Sequence, residues 1–150
     1  MKMLVEMIKN HALFRDIDAD LTPLVEYSED LIFHKNDFIF HEGEDANSFY
    51  LITHGKISLE LSTAHRGRII IQTLGKDEVL GISWLFPPYK WHFDARALEL
   101  SRVVKLDANL VMKRCEEDSR LGYYLMKRFA EVIMKRLQAV RFQLIEMEEM

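Results

Sequence analysis

The 150-residue sequence predicts an α+β, mainly β fold: an antiparallel eight-stranded β-roll (double-stranded β-helix or jelly roll) with short N-terminal helices and a long C-terminal dimerisation helix. Three observations predict it. Between Leu31 and Leu106 the apolar residues recur with period two, are rich in β-branched and aromatic types, and are cut by turn clusters at short intervals. After Asp107 the period becomes that of a helix and no proline occurs again. The length suits one complete domain, since a chain of this size buries about 70% of its unfolded surface. The expected organisation is a single domain over 1–150, with helices in 1–30, the roll in 31–106 and helices again in 107–150.

The N-terminal part is helical but broken. Leu4, Met7 and Ile8 make one short stripe, and Leu13 and Phe14 begin a second patch. Between them and the roll, Asp20 is placed to cap a short helix through Leu21, Leu24, Val25 and Tyr27, with Pro23 tolerated in its first turn. The roll's strands are expected at Leu31–Phe33, Phe38–His41, Ser48–Thr53, Ile57–Leu61, Ile69–Thr73, Val79–Leu80, Phe93–Glu99 and Arg102–Leu106. Ile82 to Trp91 interrupts them with Trp84, Leu85, Phe86, Pro87, Pro88, Tyr89 and Trp91, too aromatic for a solvated loop, so a packed insertion covering the open end of the sheet is expected. Farther on, Asp94 and Arg96 share a strand face and read as a structural ion pair.

Two helices follow, around Ala108–Glu116 and from Ser119 to about Glu146. The second carries a regular heptad. Tyr123, Ala130, Leu137 and Leu144 fall at one seam position, and Met126, Ile133, Val140 and Met147 at the other. Leu125, Phe129 and Val132 add a second apolar strip on the first half only. A helix of ~28 residues is ~42 Å long at 1.5 Å per residue and would overrun a small β-domain, so the seam predicts pairing with a second chain. A terminal helix lying along its own roll is the alternative. The basic stripe of Lys127, Arg128, Lys135, Arg136 and Arg141 reads as a solvated flank answered by Glu131, Glu146, Glu148 and Glu149.

Composition excludes several classes. A net charge of −4 provides no general attraction to nucleic acid or anionic lipid. The longest apolar runs are about four residues against the ~20 that cross a bilayer, so no membrane association is expected. Cys115 is the only cysteine and cannot form an internal disulfide, and Glu6 interrupts the residues that would have to be an apolar signal segment, so a cytoplasmic location is expected. His11, His34, His41, His54, His65 and His92 are scattered without ligand spacing, which argues against a metal-dependent roll. There is no serine elbow, phosphate loop or dinucleotide fingerprint, so no catalytic residue is assigned.

The order of short helices, eight-stranded roll and two helices resembles the cyclic nucleotide-binding domain of the catabolite-activator type. Supporting residues run from Leu13-Phe14-Arg15-Asp16 through Phe40-His41-Glu42-Gly43-Glu44-Asp45-Ala46 and the strand Ser48–Ile52. They continue with Gly55-Lys56-Ile57, Leu74-Gly75-Lys76-Asp77-Glu78-Val79-Leu80-Gly81 and Ala95-Arg96-Ala97-Leu98. The resemblance implies a ligand cassette over 81–93. In that family a short helix after a glycine offers its amides to a cyclic phosphate, an arginine completes the charge pairing and a glutamate accepts from the ribose. Here Gly81 matches the glycine, but Ile82 stands at the glutamate and Trp91 at the arginine.

The candidate ligand residues are Gly81, Ile82, Ser83, Trp84, Lys90, Trp91 and His92. Ser83, Lys90 and His92 are available as replacement anion contacts, and the ligand implied is a cyclic nucleotide or another small anion. The alternative is that the aromatics fill the cavity, leaving a ligand-independent module that dimerises or binds an unidentified protein partner. A transcription factor of this type needs a helix-turn-helix after the long helix, and Met150 follows the seam within a few residues, so direct DNA binding is not expected.

Overall fold

The computed structural model describes residues 2–149. Helix α1 (Lys2–Asn10) leads through a 3-10 turn, Thr22–Tyr27, into β1 (Ser28–Phe33), β2 (Phe38–Phe40), β3 (Ser48–His54) and β4 (Ile57–Thr63). Strands β5 (Gly67–Leu74), β6 (Val79–Leu80), β7 (Asp94–Ala97) and β8 (Ser101–Asp107) follow, then α2 (Ala108–Glu117) and α3 (Ser119–Glu149). The strands form two antiparallel four-stranded sheets in the orders β1-β8-β3-β6 and β2-β7-β4-β5. Among the described residues only β4 and β5 are sequence neighbours that pair, which is the winding of a roll.

All eight expected strands are present, with shifted ends. β1 begins at Ser28 rather than Leu31 because the ladder to β8 continues through polar Glu29 and Asp30, and Asp30 pairs with Arg102 at 2.5 Å. Apolar alternation carries no trace of that extension. β7 stops at Ala97, where Leu98 N–H donates to Lys56 O and turns the chain. The segment after Asp20 is a 3-10 turn, with Pro23 near its start; the Asp20 carboxylate accepts from Thr22 N at 3.0 Å, one residue ahead of the turn's own cap position, Leu21.

On β4 and β7, the buried Ile57 and Leu59 alternate with Ser58 and Glu60, and Ala95 and Ala97 with Asp94 and Arg96. Asp94 and Arg96 do not pair with each other. Arg96 donates across the ladder to the fully buried Glu60 (Nη2 to Oε2 2.8 Å), and Asp94 is held by Arg68 and by Glu42 N–H at 2.7 Å. In the register Asp94 stands opposite Glu60 and Arg96 opposite Ser58, so Arg96 reaches Glu60 along the diagonal and Asp94 is answered by Arg68 of β5. Burial pushes the Asp94 carboxyl up, but the Glu42 amide and the Arg68 guanidinium outweigh it and hold the group below its usual range.

Asp107 caps α2 by accepting from Leu110 N at 3.1 Å. Helix α3 packs along α2 and buries Leu121, Leu125 and Phe129, the last against Phe49 of β3. Its contact with the body does not end there: Arg136 donates to Val79 O, and Gln143 Nε2 to Ile71 O at 3.1 Å. The apolar strip thus continues in polar form, which a count of apolar residues passes over. Arg128 and Arg136 are accordingly not solvated flank residues; their guanidinium groups reach backbone carbonyls of the body. Of the seam, Tyr123, Ala130, Ile133, Leu137, Val140 and Leu144 are exposed in the single chain, Leu137 at 44%, and Met126 is half-buried.

Candidate functional site

Strand β6 delivers the chain to Gly81, whose φ of +103° glycine tolerates and other residues rarely adopt. One 3-10 turn, Ser83–Leu85, follows Ile82, and the chain then bends through Phe86–Tyr89. The return leg is bonded to the turn between β2 and β3: Trp91 N–H donates to Glu44 O (3.0 Å), and Gly43 and Ala46 donate to Trp91 O (2.9 Å) and Tyr89 O (2.8 Å). Both legs of the cassette are therefore fixed to the roll.

Trp91 fills the space between them. It is 4% exposed and stacks on Phe40 with ring centroids 3.8 Å apart and planes at 5°. Its far edge lies against Gly81, where a Cβ would meet Trp91 Cη2 at 2.8 Å. Close approach is thus a second reason for glycine here. Tyr50 and Phe93 flank Phe40 at 6.2 and 6.1 Å, and burial, aided by Glu29 and Glu44, pushes the Tyr50 phenol up to about 12. Trp84 forms a second cluster, stacked on Phe49 at 5.4 Å and edge-on to Phe129 of α3 at 5.2 Å. Its indole N–H donates to Gly81 O at 3.1 Å, so one side chain touches the glycine turn, β3 and the long helix.

The other expected ligand residues separate. Ile82 is half-buried against the core and presents no acceptor. Ser83 is buried, and its hydroxyl bonds to His92 Nδ1 at 3.0 Å while His92 itself is exposed. Lys90 turns to the rim and pairs with Asp45. Phe86 and Tyr89, expected within a packed insertion, are exposed instead, at 65% and 49%. Phe40, Phe49 and Phe129 are the cassette contacts that motif reading missed. Phe129 had a signal, the second apolar strip of α3; Phe40 and Phe49 stood in motifs that marked the roll, with nothing in them to place either ring against the cassette.

A three-residue turn offers few free amides to an anion, and the arginine position holds an indole. Among the described residues no group of three or more His, Cys, Asp or Glu side chains is placed to hold a metal ion, and no helix is long and apolar enough to cross a membrane. Cys115 is buried, and burial pushes its thiol up to about 11, far from the range of a reactive thiolate.

The cyclic nucleotide-binding domain family model matches residues 31–118, from β1 through α2. A Geobacter metallireducens structure named for cyclic nucleotide binding is 25% identical, covers 89% of this chain and 97% of its own, and superposes with a TM-score of 0.75. A cyclic nucleotide-binding domain from Methylobacillus flagellatus has the same fold at 14% identity, with a TM-score of 0.78 over 97% of this chain and 82% of its own. The anaerobic regulatory protein of Bacillus subtilis is 26% identical over 127 residues, 83% of this chain and 53% of that protein; human cGMP-dependent protein kinase 2 is 30% identical over 76 residues, 49% of this chain. The chain spans about half of the regulator and 10% of the kinase. The fold, the order of its motifs and the match over more than half the residues agree: the chain belongs to the cyclic nucleotide-binding domain family.

Proposed function

We propose that this chain is a noncatalytic regulatory module of the ligand-sensing type whose nucleotide cavity is occupied by its own Trp91, and which signals as a dimer through α3. The observation that carries the reading is the burial of Trp91 between Phe40 and Gly81, where the family's arginine would meet a phosphate. The energetics support it. A cyclic nucleotide would forgo two charge-assisted hydrogen bonds, roughly 1.5–3 kcal/mol each, and would also have to displace a buried indole. The sum corresponds to at least three orders of magnitude in affinity.

The exposed seam of α3 supports pairing with a second copy, because the same heptad face on two chains is self-complementary about a two-fold axis. The path from cassette to seam runs through Trp84, which touches Phe129 on the face of α3 that neighbours the seam. A second reading, a small anion held at the rim, is favoured only by the Ser83 hydroxyl and His92 imidazole lying together beside the first turn.

A thermal-shift series separates the readings. With millimolar cyclic AMP or cyclic GMP the melting temperature is expected to stay unchanged, whereas a ligand at a hundred times its dissociation constant stabilises by ~2.7 kcal/mol, a shift of several degrees. The double variant Ile82→Glu with Trp91→Arg is expected to restore a shift with cyclic AMP. A folded double variant that still does not respond puts the pocket in the wrong place. A shift with sulfate or phosphate that His92→Ala abolishes supports the rim reading instead.

A further inference from the structure

We propose that His11 is a proton-operated latch: neutral, its Nδ1 holds the segment after α1 folded and so shapes the carbonyls that clamp α3; protonated, it lets go of that segment while keeping its bond to the turn before the cassette. Both ring nitrogens are engaged in a buried site. Nδ1 accepts from Leu13 N at 3.1 Å, and Nε2 lies 3.1 Å from Glu78 O, which can only accept. A ring that accepts at one nitrogen and donates at the other is the neutral tautomer protonated on Nε2. The cationic ring carries a proton on Nδ1 as well, which faces the Leu13 N–H, so the bond from Leu13 breaks while Nε2 goes on donating to Glu78 O.

The turn that this ring closes is the one α3 holds. Phe14 N and Arg15 N donate to His11 O at 3.0 and 2.8 Å, and the resulting loop aims three carbonyls outward. Arg128 of α3 donates to all three: to Ala12 O at 2.6 Å, Leu13 O at 3.2 Å and Arg15 O at 2.7 Å. Eight residues on, Arg136 donates to Val79 O, next to the carbonyl that His11 holds. One histidine therefore sits where the N-terminal segment, the strand entering the cassette and the long helix are tied together.

Charged groups surround this junction from each side. Arg15, on the segment itself, pairs with Asp77 of the β5–β6 turn at 3.3 Å, and the Glu78 carboxylate accepts from Gly75 N at 2.6 Å. From α3, Arg128, Glu131, Lys135 and Arg136 line the cleft of about 280 Å³ beside Ala12 and Leu13. Burial lowers the His11 imidazole below 6.5 and outweighs the Glu78 carbonyl and Asp77, which favour the charged ring. With the folded-state value depressed, the latch is fully closed above about pH 6.5 and opens as the pH falls through the lower folded-state value.

The test is amide hydrogen exchange and His11 ring NMR on the full chain from pH 7.5 to 5. Below about pH 6.5, exchange at Leu13–Arg15 is expected to rise at least tenfold beyond the intrinsic pH correction, together with protonation of His11 Nδ1. His11→Gln, which cannot be protonated in this range, is expected to lose that rise. Arg128→Gln should keep the rise in the segment but uncouple it from α3. If His11 titrates as a solvent-exposed histidine does, or the segment opens to the same extent with pH in His11→Gln, the latch is wrong. Should His11→Gln not fold, the wild-type titration alone decides: Nδ1 protonation with Leu13 protection unchanged overturns the proposal.

Discussion

Phe129→Ala is expected to lower folding stability by about 3–5 kcal/mol, the range for a buried aromatic replaced by alanine. Phe129 is 1% exposed and meets both Phe49 and Trp84 edge-on at just over 5 Å. Its loss opens a cavity where α3, β3 and the cassette converge. Urea denaturation measures the loss. Because Trp84 reports on this contact, its fluorescence should also change in the folded variant. If the stability falls by less than about 1 kcal/mol, Phe129 is not the joint between cassette and helix.

Arg96→Leu is expected to cost about 3 kcal/mol, for a different reason. Glu60 is fully buried, and its Oε2 takes Arg96 Nε at 2.9 Å, Arg96 Nη2 at 2.8 Å and the Ser58 hydroxyl. Among the described residues its Oε1 has no hydrogen-bond partner and only Arg68 at 3.6 Å. Removing Arg96 leaves a buried carboxylate with one distant cation, and such half-broken pairs cost more than pairs that were never formed. Glu60→Gln in the Arg96→Leu background should therefore recover part of the loss. Equal losses in the single and double variants would mean that Arg96 stabilises by covering the sheet, not by its charge.

The roll was readable because its strands bury one face, so apolar alternation, glycine turns and the change of period after Asp107 all point the same way. What escaped was structure held by polar groups. Glu29 and Asp30 extend β1 through ladder bonds that leave no hydrophobic trace, and Arg128, Arg136 and Gln143 carry the body contact of α3 through backbone carbonyls. Charge counted along a helix does not distinguish a solvated guanidinium from one aimed at a carbonyl. In the cassette, the substitutions Ile82 and Trp91 were visible in the sequence, but whether the indole lines the cavity or fills it depends on Phe40, which comes from a strand about fifty residues away.

Sedimentation velocity of the full chain at micromolar concentration, with and without millimolar cyclic AMP, tests the central claim most directly. The account predicts a dimer in both conditions and a monomer for Leu137→Asp, which places a carboxylate in the middle of the seam. A wild-type chain that is monomeric alone and dimeric only with the nucleotide would contradict it, since the cavity would then be open to a ligand and the seam dependent on it.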